Sequence, residues 1–421
     1  MLNKFLPIIF IISSFSLTAQ HLEIGKRWVD TLSSEYFFGR GYVNDGVNRA
    51  AEFIGNEFSN LGLQPLPGQK NYFQPFIHEV NTFPRKIELS VNDKKLENGV
   101  HYIVHPSSGS GNLKLQPIEL SFPNLSDDDL NKAASAILDG DYNSVIINLV
   151  GAEPQEENQL IYKFLALANH VPLIFKSENK LTWGVGTFQL EHPVLTVADS
   201  VKLSDSKIEV QVEAEFNKQF ESKNVAGFIP GKSKSAKTIL FTAHYDHLGG
   251  MGNEVFIPGA NDNASGTSML AAIAEHYRKA PPKNNIVFVA FAGEEAGILG
   301  SEYFVNSGII GLDSIEIVLN IDLMGTGEDG ITIVNGKILE NQFNQIVDIN
   351  KQYGFLSKIK PRGSAKNSDH YHFTENDVPA FFIYTLGDYP HYHDINDSYE
   401  NLPFSKYNEV VELLIQFANS L

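Results

Sequence analysis

Hydrophobic and polar positions change period along this chain, and the changes divide it into three stretches. Apolar residues fall at helical spacing over 22–32 and again over 47–61, where Ala50, Ala51, Phe53, Ile54, Phe58 and Leu61 share one face. Gly62 ends the second of these helices, as glycine does just past a helix end. From about 85 to 221 the texture becomes short apolar runs, such as 86–91, 144–150, 172–175 and 193–197, separated by Gly, Asn, Asp and Ser. That spacing predicts strands joined by turns. After 224 the runs 238–241, 286–291 and 317–321 alternate with helical spacing over 266–279, 296–306, 340–353 and 406–420. Such alternation predicts an α/β domain, with the middle stretch as an inserted module.

The polar residues that interrupt this pattern gather at strand ends, where an open α/β sheet keeps its active site. The first run gives way to His244, Asp246 and, after a glycine-rich loop, Asp262. The second leads into Glu294 and Glu295, and the third into Asp322. A late polar segment, 389–398, offers His391 and His393, which spacing alone does not separate. Each signal has an ordinary explanation. Asp262 could cap the following helix, and acids are common at helix starts. Arg40, in a turn, reads as a structural pin. His370 and His372 read as local hydrogen-bonding groups, and His101, His105, His170 and His192 as surface or packing residues.

Together the strand-end residues say more. His244 and Asp246 lie two apart, so an extended chain points both to one face, and the carboxylate can accept the second ring N–H of the histidine. His244, Asp262, Glu295, Asp322 and one late histidine form a nitrogen-and-oxygen set suited to zinc, in a paired site with the ions ~3.5–4 Å apart. Asp262, with two oxygens, could bridge them. Glu294 would then carry a proton between water and a leaving amine.

Composition narrows the picture. The 421 residues are 43% hydrophobic and 19% charged, ordinary for a globular chain of two domains. With no cysteine, disulfides, thiolate ligands and a cysteine nucleophile are excluded. A net charge of −18 argues against nucleic acid and anionic membranes as partners. Residues 1–19 have a basic start, an apolar middle too short to span a bilayer, and small residues before Gln20. They read as a cleaved signal peptide, which places the mature chain in a periplasm or outside the cell and leaves no membrane anchor.

AHYDHLG (243–249), GANDNASG (259–266), AGEEAG (292–297), NIDLMG (320–325), SDH (368–370) and YHDINDS (392–398), in this order and spacing, resemble the secreted aminopeptidases with two co-catalytic zinc ions, of the bacterial leucyl aminopeptidase type. The resemblance covers 20–84 and 222–421. It implies a mixed central sheet flanked by helices, with 85–221 resembling a protease-associated inserted domain. It further implies one zinc on His244 and Asp322, the other on Glu295 and His393, Asp262 bridging, and Glu294 as general base and acid. The Tyr-His-x-x-x-Asp pattern of that family selects His393 over His391. Tyr392 would donate to the tetrahedral oxyanion. The chain departs from the family at Asp394-Ile395, where Thr-Pro is commoner.

The activity so implied is hydrolysis of the first peptide bond of peptides with a free N-terminus. Rival activities on the same fold are a single-zinc glutaminyl cyclase and a carboxypeptidase or dipeptidase with Arg362 or Lys366 holding the substrate carboxylate. A catalytically dead peptide-binding protein is the non-enzyme alternative.

Overall fold

The computed structural model describes residues 20–233 and 236–421. The expected signal peptide, 1–19, lies outside the described residues. Eight strands form the main sheet, in chain order β1 (Phe73–Thr82), β2 (Glu215–Ile229), β3 (Thr238–His244), β4 (Asn285–Phe291), β5 (Ile315–Asp322), β6 (Gly330–Val334), β7 (Ile359–Pro361) and β8 (Ala380–Leu386). Their spatial order is β1-β2-β4-β3-β5-β8-β6-β7. β3 pairs parallel with β4 on one side and β5 on the other, and β5 pairs parallel with β8. The pairs β1–β2, β2–β4 and β6–β8 are antiparallel, so the sheet is mixed.

The centre of this sheet explains its sequence. Every residue of β3 is buried, since helices cover both faces, and a strand buried on both faces reads as a continuous apolar run. From β3 the chain passes to β4 on one side and then to β5 on the other. The crevice at their carboxyl ends is therefore a topological switch point.

Most helices follow the sequence pattern. Residues 20–32, Gly46–Asn60, Gly266–Lys279, Glu340–Tyr353 and Tyr407–Ser420 are helical, within two residues of expectation. The helix expected from 296 begins instead at Leu299. Ile298 has φ +64°, a left-handed conformation that cannot continue a helix, and the Glu294 carbonyl closes the preceding turn.

The middle stretch holds two smaller sheets. One orders strands Lys94–Lys95, Ile87–Val91, Ile208–Val212 and Gly111–Leu115. The other orders Tyr102–Val104, Val194–Ala198, Leu173–Ser177, Ser144–Asn148 and Pro117–Ser121, the last four mutually parallel. Two helices, Asp127–Leu138 and Pro154–Phe164, were not expected from the strand-like texture. Their signals are short and lie at the N-termini. Ser126 and Asp129 form a capping box on the first, and Pro154 opens the second. The core of the first small sheet runs on into Leu248, Met251 and Ile257, just after β3, so the two parts share apolar packing.

Candidate metal centre

β3 ends at His244, which is buried. Its Nδ1 lies 3.1 Å from the main-chain carbonyl oxygen of Asp246. Its Nε2 lies 3.3 Å from Asp262 Oδ1 and 3.4 Å from Asp322 Oδ2. A carbonyl only accepts, so Nδ1 carries the hydrogen and Nε2 faces the two acids.

The sequence reading gave this orienting role to the Asp246 carboxylate. The structure gives it to the carbonyl of the same residue, because the carboxylate oxygen is farther from the ring, at 3.8 Å. The carboxylate instead accepts from the main-chain N–H of Glu294 and Glu295, at 3.2 and 3.3 Å, and from the Tyr42 hydroxyl at 3.0 Å. Asp246 thus fixes the turn after β4, which Gly293 makes possible with φ +69°.

Asp262 sits in the irregular turn Ala260–Ser265 and does not cap the helix that follows. A cis peptide bond joins it to Asn263. Its own N–H and that of Asn261 donate to the buried Asp397 carboxylate, at 3.0 and 2.8 Å. Arg40, fully buried, donates to the carbonyls of Leu32, Tyr245, Pro258, Gly259 and Asp262, which makes it a pin rather than a substrate-binding cation. So held, Asp262 turns Oδ1 to His244 and Oδ2 to His393 Nε2, the latter at 3.1 Å.

His393, with φ +55°, repeats the arrangement of His244. Its Nδ1 lies 2.9 Å from the carbonyl oxygen of Trp183, and its Nε2 also faces Glu295 Oε2 at 3.5 Å. Tyr392 stacks on the ring at 3.9 Å between centroids. His391 stays outside the cluster, 3.6 Å from Asp394, and His370 and His372 lie in the short helix His370–Thr374. One buried histidine was missed in the sequence. His247 Nδ1 is 2.7 Å from Glu295 Oε1. It stands three residues after His244, and past a strand end that spacing has no fixed direction.

Two groups of side chains could each hold an ion: His244, Asp262 and Asp322; and His247, Asp262, Glu295 and His393, with Asp262 common to both. Carboxylates outnumber donors here. Asp322 Oδ1 is buried with no hydrogen-bond partner. Burial, joined by Glu295, Asp369 and Asp322, drives the Glu294 carboxyl well above its usual range. Burial alone would lower His393, yet Glu295 and Asp262 outweigh it and push the ring up to about 11. Burial likewise raises Glu295, but His393 pulls it down to about 2. Positive charge is therefore favoured between these groups. A divalent ion bound by nitrogen and oxygen supplies it without placing a proton on Nε2, so the residues fit the metal.

The cluster lines one side of a cavity of about 200 Å³, with Glu294 and Tyr392 also facing it. Leu323, Phe382, Tyr384, Asn367 and Arg362 form the rest of the wall. Lys366 lies over the Tyr371 ring instead.

Residues 224–418 match the family model described as peptidase family M28. Among curated proteins, aminopeptidase YwaD of Bacillus subtilis is 31% identical over 204 residues, which are 46% of this chain and 43% of that protein. A probable leucine aminopeptidase of Arthroderma otae is 28% identical over 233 residues, 52% of this chain and 62% of that protein. The chain thus spans about half the length of the curated relatives it matches. Solved structures share the fold over nearly the whole chain. A peptidase M28 precursor from Shewanella amazonensis superposes with a TM-score of 0.70 at 16% identity, covering 97% of this chain and 95% of that one. The zinc aminopeptidase BSAP from Bacillus subtilis gives 0.68 at 20% identity, covering 94% and 93%. The match to peptidase family M28 thus takes in the segment, residues 224–418, that carries His244, Asp262, Glu295, Asp322 and His393.

Proposed function

We propose that this protein is an exported zinc aminopeptidase that releases the first residue of peptides with a free N-terminus. The observation that carries the reading is the pair of histidines, His244 and His393, aiming Nε2 at opposite oxygens of Asp262 while carbonyls hold both Nδ1 atoms. Two zinc ions would be held by His244 with Asp322 and by Glu295 with His393, Asp262 serving both. Bound there, zinc supplies Lewis-acid polarisation of the scissile carbonyl and lowers the pKa of water.

The protein's own groups do the rest. Glu294, whose carboxyl burial holds well above its usual range and which faces the cavity, takes a proton from the attacking water and returns it to the leaving amine. Tyr392, at the cavity mouth and half exposed, donates to the oxygen that gains charge. The apolar wall of Leu323, Phe382 and Tyr384 receives the side chain of the first residue and excludes water from it. Residues 85–221 are taken as an inserted module of the protease-associated kind, and 1–19 as a signal removed before Gln20.

The test is amino-acid release from short peptides, free and N-acetylated, with zinc and with chelator. Release from free N-termini only, lost on chelation, is expected. Release indifferent to acetylation would overturn the assignment. N-terminal sequencing of the mature protein, expected to begin at Gln20, checks export. Arg362 favours a second reading. It lines the cavity and has no carboxylate within ion-pair reach among the described residues, so it could hold a substrate carboxylate. C-terminal amidation of the peptides would abolish turnover under that reading and leave aminopeptidase activity intact.

A further inference from the structure

We propose that the inserted stretch is part of the metal centre, because its segment 180–183 braces His393 from outside the family-matched residues. The proposal rests on the metal-binding reading above. Trp183 comes from the inserted stretch, 41 residues before the matched segment begins at 224, yet its carbonyl accepts the Nδ1–H of His393 at 2.9 Å. Its main-chain N–H donates back to the His393 carbonyl at 3.1 Å. Trp183 is itself anchored, buried against Phe83, with its indole N–H on the Val104 carbonyl at 2.9 Å.

Lys180 completes the clamp. Its ammonium donates to the carbonyls of Pro390 and Tyr392, at 2.5 and 2.7 Å, and pairs with Asp394 at 2.7 Å. Three acceptors of one loop thus converge on a single cation from the other part of the molecule. The loop needs such a tie. His393 is in the left-handed region, which costs a non-glycine residue free energy and persists only where surroundings enforce it.

The consequence is chemical as well as steric. An acceptor fixed on Nδ1 sets the tautomer, leaves Nε2 free to bind a cation and makes it more basic. His244 obtains that acceptor from its own strand end, whereas His393 must borrow one from the insert. The insert is a positioning element for one metal site and not for the other.

The test is competitive zinc titration of the full chain against a chelator of known affinity. For Lys180→Ala, one of two dissociation constants should rise about tenfold, the lower end for lost outer-shell partners, and the other stay within a factor of about two. Lys180→Arg, which keeps the cation, should recover most of the loss. Unchanged constants in Lys180→Ala would overturn the proposal, as would equal weakening of both sites, which signals general loosening. In the unmodified protein loaded with ¹¹³Cd, the ¹⁵N spectrum should show metal coupling on Nε2 of His393 and a proton on Nδ1. Coupling through Nδ1 would also overturn it. A wild-type chain that binds no metal would instead sink the underlying reading, which separates the two failures.

Discussion

Two parallel sheet edges in this molecule bury carboxylates, and they do so in opposite ways. At the edge of the insert, Glu157 is buried alone, and the Ser177 hydroxyl and Asn179 amide donate to it at 2.7–2.8 Å. At the edge of the main sheet, Asp262, Glu294, Glu295 and Asp322 crowd together with three histidines, His244, His247 and His393, and Asp322 Oδ1 receives nothing. A buried acid supplied with neutral donors is complete, and its role is structural. A buried group of acids with too few donors is complete only when something positive arrives. The donor count, rather than the presence of acids, separates a functional edge from a structural one.

The largest effect that would sharpen this contrast is on turnover. Glu294→Gln should lower kcat by roughly 10²–10⁴-fold, the usual share of a general acid–base group, with metal content by elemental analysis unchanged. Near-full activity would remove Glu294 from the chemistry.

Next comes metal removal. Stripping the ions should lower the free energy of unfolding by about 4 kcal/mol at each site when free metal stood at ~1,000 times its dissociation constant. Denaturant unfolding with and without chelator measures this, and Glu157→Gln should leave the difference untouched.

A third test concerns a histidine that shares neither fate. His370 is 1% exposed, and burial depresses its ring to about 4. Between that value and the unfolded 6.5 the unfolded chain binds the extra proton, so stability is full above about pH 6.5 and lost as pH falls toward 4. The loss should reach about 3 kcal/mol, read as the difference between wild type and His370→Phe. A pH-independent difference would mean the ring is not buried in solution.

The smallest effect is expected in the insert. Glu157→Gln should cost about 1–2 kcal/mol, as expected for lost charge-assisted hydrogen bonds, and leave kcat unchanged. A large fall in turnover would erase the distinction between the two edges.

Much of this was legible before any coordinates. The periodicity marked the strands that carry His244, Glu294, Glu295 and Asp322, because a sheet buried on both faces forces long apolar runs with polar ends. The helices Gly266–Lys279 and Glu340–Tyr353 lie at the expected positions. What sequence could not show is how the rings are held. The acceptors on both Nδ1 atoms are main-chain carbonyls, which every residue possesses, so no residue type announces them. His247 escaped for a related reason, since its approach to Glu295 depends on how the chain leaves β3. Lys180 and Trp183 meet a loop some 210 residues away, beyond any periodic signal.

The pairing of β1 with β2 carries one more lesson. Thr82 lies opposite Glu215, so the chain departs for its long excursion and returns on neighbouring strands, about 5 Å apart. A tight turn could join those two ends and leave the register of the main sheet as it is. The module between them is thus tied to the main sheet through one pair of adjacent strand ends. Those strand ends also launch the stretch whose Trp183 carbonyl meets His393, so one attachment carries both the module and that contact.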